Sequence, residues 1–137
     1  MSYYGTICFG EGVTNKMKRD LILLRKILLF VENSDIDIIT IEDMIIEEYS
    51  PKEISYHVQL LIDAGYIDAK IIHTLSQLYS DFMIKRLTMD GHDFIDSIRD
   101  DKVFKKALDK IGNSTSSLSL DIVKAVAIKI ISEFLGL

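Results

Sequence analysis

A single cysteine, Cys8, sets the first limit. One thiol builds neither an internal disulfide framework nor a multi-cysteine zinc site, and it suits a reducing cytoplasm. Tryptophan is absent and proline occurs once, at Pro51. Positive charge is in deficit: Lys and Arg number 16 against 21 Asp and Glu, a net charge of -5. That excludes a protein that coats nucleic acid by charge alone, although a local basic surface stays open. No apolar run approaches the roughly 20 residues that span a bilayer. The N-terminus lacks the basic-then-apolar pattern of a secretory signal, and no internal repeat or long low-complexity tract is present. The phosphate-binding GxxxxGK[ST], the dinucleotide-binding GxGxxG and the zinc-binding HExxH are all missing. His57, His73 and His92 each stand alone in sequence, and no Ser or Cys has the surroundings of a nucleophile. The residues therefore predict no catalytic site, no cofactor and no metal.

What is present suits one globular domain: 137 residues, 48% hydrophobic and 27% charged. The chain is organised around residues 50–67, SPKEISYHVQLLIDAGYI. Ser50 is an N-cap, Pro51 fits the first helical position, and Glu53 completes a capping box. Ile54, Val58, Leu61 and Ile62 share one helical face. Gly65 supplies a left-handed stop, and Tyr66 begins an extended run.

Upstream, residues 1–16 carry three glycines and no sustained period. They read as an N-terminal extension with Met17 as the usual start, or as one short strand added to an edge. Residues 17–33 read as a central helix, with Leu21, Leu24, Ile27, Leu28 and Val31 as its stripe and Lys18, Arg19, Arg25 and Lys26 on its polar side. A short strand is expected at 36–40. A short helix at 41–48 would be capped by Thr40, with Asp43 in the capping-box position. The segment 35–48 is strongly acidic, with Asp35, Asp37, Glu42, Asp43, Glu47 and Glu48 and no Lys or Arg. It is either a solvated face or a docking surface for a basic protein.

Downstream, 66–88 reads as a β-hairpin with a polar tip and a scatter of basic residues. Thr88 then caps a helix over 89–99. Asp100 and Asp101 interrupt it and can cap a further helix whose polar side is a lysine row: Lys102, Lys105, Lys106 and Lys110. Residues 112–117, GNSTSS, form a linker. The last helix, 118–135, has a wide apolar arc that either packs on its own core or makes a homodimer. The arrangement predicts an α+β, mostly helical fold. The capped helix, LLIDAGYI and following strand resemble the recognition helix and first wing strand of winged-helix proteins, which implies a winged helix-turn-helix core over 17–111 with a β-hairpin wing and extra C-terminal helices.

The segments 17–32, 48–67, 85–108 and 119–137 together resemble an uncharacterised family of small phage and prophage proteins, known only as a domain of unknown function. ISYHVQLLIDAGYI and RLTMDGHDFIDSIRDD are the most specific of these motifs. The resemblance implies a winged-helix core, a phage or prophage origin and a bacterial cytoplasmic setting, and it carries no catalytic residues. Two functions follow. In the first, the chain is a DNA-binding accessory protein or transcriptional regulator on duplex DNA. Lys52, Ser55, Tyr56 and Gln59, with His57 nearby, would face the groove, while Lys70, Lys85 and Arg86 hold phosphates. In the second, the winged helix is a protein–protein module that binds a host regulator or defence component through Glu42, Asp43, Glu47 and Glu48. Fold base rates favour the first, and the acidic charge favours the second.

Overall fold

The computed structural model describes residues 18–73, 75, 78–112 and 119–137. Among them the chain forms α1 (Leu21–Asn33), α2 (Pro51–Asp63), β1 (Ile67–Ile72), β2 (Asp81–Leu87), α3 (Met89–Ile98), α4 (Asp101–Gly112) and α5 (Leu120–Phe134). The fold is α+β, with β1 and β2 paired as an antiparallel hairpin. The expected extension at 1–16 lies outside the described residues, as does most of the expected linker, whose first residue, Gly112, closes α4.

α1 begins later than its hydrophobic period suggests. The Asp20 carboxylate accepts the amides of Ile22 and Leu23 at 2.9 and 3.2 Å, so Lys18 and Arg19 precede the helix. Its buried stripe, Leu23, Leu24, Ile27 and Leu28, occupies the centre of the core. Arg25, expected on the polar side, is instead drawn inward against the end of α3.

The expected strand at 36–40 shrinks to one bridge, Ile39 with Ile84. The expected helix at 41–48 is a single turn. The Asp43 carboxylate does accept the Thr40 amide at 2.9 Å, which is half of the anticipated cap. The turn goes no further: Glu48 adopts a left-handed φ of 74°. A helix continued through Glu47 and Glu48 would set two carboxylates at the negative end of its dipole, with no Lys or Arg within the stretch to offset them. Ile41 and Met44 still reach the core, which leaves Ile45 outside.

A polar junction joins α1, this loop and α2. The Asp20 amide donates to Nε2 of His57 at 2.8 Å, and Nδ1 of His57 meets the Glu53 carbonyl at 2.8 Å. Because one partner is a donor and the other an acceptor, the imidazole must carry its proton on Nδ1. The Tyr49 hydroxyl donates to the other oxygen of Asp20 at 3.0 Å. Burial, followed by the bond to Asp20 and the charges of Asp20, Glu48 and Glu53, pushes Tyr49 up to about 12. Because the native pKa lies above the unfolded one, this tyrosine supports folding fully below about pH 10 and loses that support as pH rises toward 12. In Tyr49→Phe, thermal melts should therefore fall less steeply between pH 10 and 12 than in the wild type, from a lower starting point at pH 7. An unchanged alkaline slope would show that Tyr49 is not coupled to folding.

α2 follows the sequence reading closely. Ser50 and Glu53 form the reciprocal capping box. At the other end, Gly65 at φ 78° places its amide on the Ile62 carbonyl and the Tyr66 amide on that of Leu61, a Schellman stop that aims the chain into β1. In β2 strict alternation from Phe82 and Ile84 would turn Arg86 inward. The ladder instead pairs Asp68 with Arg86 and Ala69 with Ile84, so Lys85 is an extra residue in a bulge. That one-residue shift returns Leu87 to the core. Thr88 caps α3 by accepting the Gly91 amide at 3.1 Å, and the Asp100 carboxylate caps α4. α3 buries Phe94, Ile95 and Ile98, and the Phe94 ring stacks on Tyr66 at 5.0 Å. α5 packs Val123, Ala127 and Ile130 inward against α3 and α4.

Candidate functional site

The residues expected to read DNA do not converge as one surface. Lys52, Ser55, Tyr56 and Gln59 do line a cleft of about 260 Å³ between α2 and the hairpin, together with Ile71, His73, Leu78 and Tyr79. Within it, Ser55 is only 5% exposed and donates its hydroxyl to the Ser80 carbonyl at 2.6 Å. It fastens the hairpin to α2 and is unavailable to a base edge. Gln59 donates to Asp63 one helical turn on, at 2.9 Å. His57 is 2% exposed and belongs to the core junction. Lys52 and Tyr56 remain at the cleft.

The basic hairpin residues lie elsewhere. Ile67, Ala69 and Ile71 face the core, so Lys70, between them, stands on the opposite face of the strand. Arg86 approaches Asp68 across the ladder at 3.8 Å and donates to the Leu87 carbonyl at 3.1 Å. Lys85 is exposed in the bulge. The expected polar tip at 76–77 lies outside the described residues, while on either side of it Leu75 is fully exposed and Leu78 is 94% exposed.

The acidic residues have a different setting. Glu42, Asp43, Glu47 and Glu48 are all exposed on the loop between α1 and α2. Ile45 and Ile46, between the two acidic pairs in the chain, line an open groove of about 550 Å³ with Leu29 and Phe30 of α1. Ile45 is 81% exposed. Lys26 lies at the same groove, its ammonium 5.7 Å from the Tyr49 ring. Sequence reasoning found the carboxylates and missed the groove. An expected helix places Ile45 and Ile46 on a helix face, whereas the single turn leaves Ile45 at the surface and Ile46 half-buried against the core. The arrangement can hold an apolar side chain against Leu29, Phe30, Ile45 and Ile46, with Lys26, Asn33 and Ser34 also in the lining and the acidic pairs adjacent in the chain.

The lysine row of α4 is exposed, and Lys106 lies over the Phe134 ring of α5 at 4.5 Å. Ile122, Ile128 and Phe134 remain exposed on α5. His92 is an exposed neighbour of Glu32, which Arg99 also pairs. Among the described residues no group of three or more His, Cys, Asp or Glu is placed to hold a metal ion. No helix among them is long and apolar enough to cross a membrane.

Residues 18–117 match the family model described as "Hypothetical protein (DUF2513)". An "Uncharacterized protein" of Haemophilus influenzae (strain ATCC 51907 / DSM 11121 / KW20 / Rd) is 34% identical over 120 residues, covering 88% of this chain and 100% of that protein. No solved structure matches the chain. The matched span, with the specific segments around α2 and α3 inside it, places this chain in the DUF2513 family.

Proposed function

We propose that this chain is a non-enzymatic protein–protein interaction module of phage or prophage type that docks a basic, amphipathic segment of a bacterial host protein, a regulator or a defence component. The observation that carries the reading is the groove between α1 and the 41–49 loop. Leu29, Phe30, Ile45 and Ile46 line it with Lys26, Asn33 and Ser34, Ile45 is 81% exposed, and exposed carboxylates lie on both sides of Ile45 and Ile46 in the chain. An apolar anchor with a charged rim is the usual composition of a protein-binding patch, in which the rim sets the rate of association and the anchor the lifetime of the complex.

The test is a pull-down from bacterial lysate with the tagged full chain, with and without nuclease, repeated with Ile45→Asp and with Glu47→Lys/Glu48→Lys. A host protein retained after nuclease should be lost with Ile45→Asp, which costs little in folding because the side chain is outside the core. The double charge reversal should slow association about tenfold at low salt. A partner held equally well by both variants would remove the groove from consideration.

The second reading is DNA binding on a winged-helix core. It is supported by the order α1, the Ile39–Ile84 bridge, α2 and hairpin, with Lys52 and Tyr56 on the accessible side of α2. The single turn at 40–44, where such a core usually has a helix, counts against a full match. In this reading, bound material vanishes with nuclease, and Lys52→Ala with Lys85→Ala weakens binding to all duplexes and flattens the salt dependence.

A further inference from the structure

Among the described residues β1 has a strand partner on one side alone, and the charges along its other edge select a partner. Ile39 and Ile84 exchange both backbone hydrogen bonds, each 2.9 Å, so the amide and carbonyl of Ile84 point away from β1. Ala69, opposite Ile84 in the ladder, therefore belongs to a non-hydrogen-bonded pair, and its own N–H and C=O point away from β2. The same alternation turns the backbone groups of Ile71 outward and those of Lys70 toward β2. The described elements that pack against β1 are chiefly β2 and α2. An unpaired edge of this kind is a template for another strand.

We propose that β1 pairs edge to edge and antiparallel with β1 of a second copy of this chain, with Ala69 opposite Ala69 on the two-fold axis. Symmetric registers centred on Ala69, Lys70 or Ile71 use the outward-pointing groups of Ala69 and Ile71, and one centred on Asp68 would set two carboxylates directly opposite each other. Centring on Lys70 sets two ammonium groups directly opposite each other, which opposes pairing. Centring on Ile71 sets Lys70 against Ile72 and leaves Asp68 beyond the paired strand. Centring on Ala69 sets Lys70 of each copy opposite Asp68 of the other, twice by symmetry, and Ile71 opposite Ile67. Asp68 and Lys70 both lie on the face turned away from the core, so these pairs form without disturbing it. The result is a four-stranded sheet with an isologous interface.

Sedimentation of the full chain over a concentration series tests this, with thermal melts to verify folding. The wild type should reach twice its 15.6 kDa mass. The charge cycle is then run in an Arg86→Ala background, so that changes at Asp68 do not act through the cation of its own chain. Lys70→Asp and Asp68→Lys should each weaken the dimer about tenfold or more, because each changes two symmetric pairs from attraction to repulsion. The double swap, Asp68→Lys with Lys70→Asp, should return it to within about threefold of the background. Misfolding cannot produce that rescue. A wild type that stays monomeric, a dimer indifferent to both single changes (as association through α5 would give), or a double swap that fails to restore pairing would each overturn the proposal.

Discussion

Gly91→Ala should destabilise this protein by about 3 kcal/mol or more, although the same change in an ordinary helix interior stabilises. A Cβ at this position would lie 2.0 Å from the Tyr66 carbonyl oxygen and 3.0 Å from its carbon. Both are backbone atoms, so no side chain can rotate away. That carbonyl is also held in place, since it accepts the Thr88 amide at 3.0 Å. The Tyr66 ring meanwhile stacks on Phe94, one turn further along α3. Relief therefore requires α3 to lift from the hairpin, which would open the contacts of Phe94 and Ile95. The matched control is Gly112→Ala at the exposed end of α4, where an added Cβ meets nothing within 4 Å. It should be neutral or stabilise by up to about 1 kcal/mol. Urea melts of the two variants decide the matter. Equal small effects would mean that α3 does not approach Tyr66 as closely as described.

Arg25→Ala should cost about 2–4 kcal/mol, and Arg25→Lys nearly as much. The guanidinium donates from Nε to the Ile98 carbonyl at 2.8 Å and from one terminal nitrogen to the Arg99 carbonyl at 2.6 Å and the Asp101 carboxylate at 2.7 Å. It also lies over the Phe104 ring at 4.9 Å. These acceptors are the carbonyls at the end of α3 and the first residue of α4, so one side chain of α1 caps one helix and fixes the start of the next. With 13% of the side chain exposed, water replaces little of this when the fork is removed. Lysine supplies the charge without the planar fork, so it can serve one acceptor well and not all three. If Arg25→Lys melted like the wild type, charge alone would account for the contact. Arg86→Ala makes a useful contrast: its pairing with Asp68 is long and well exposed, and the change should stay within about 0.5 kcal/mol.

Where local physics decides, the sequence by itself determined the outcome. The capping box at Ser50 and Glu53, the left-handed stop at Gly65, the Thr88 and Asp100 caps and the apolar stripes of α1 and α3 each depend on residues within one or two turns, and each forms as read. The family resemblance rests on the same stretches. Tertiary structure decided the rest, because the deciding partner lies far away in the chain. Helix periodicity puts Ser55 and His57 near a surface, yet the Ser80 carbonyl and the Asp20 amide, 25 and 37 residues away, draw them inward. Arg25 looks like an exposed cation until the end of α3, more than 70 residues on, meets it. Gly91 looks like a weak point in a helix until the Tyr66 backbone occupies the space a side chain would need. Composition revealed the acidic stretch. Only the failure of its helix to continue past one turn, where helix propensity loses to unfavourable end charges, placed Ile45 in the lining of a groove next in the chain to the carboxylates.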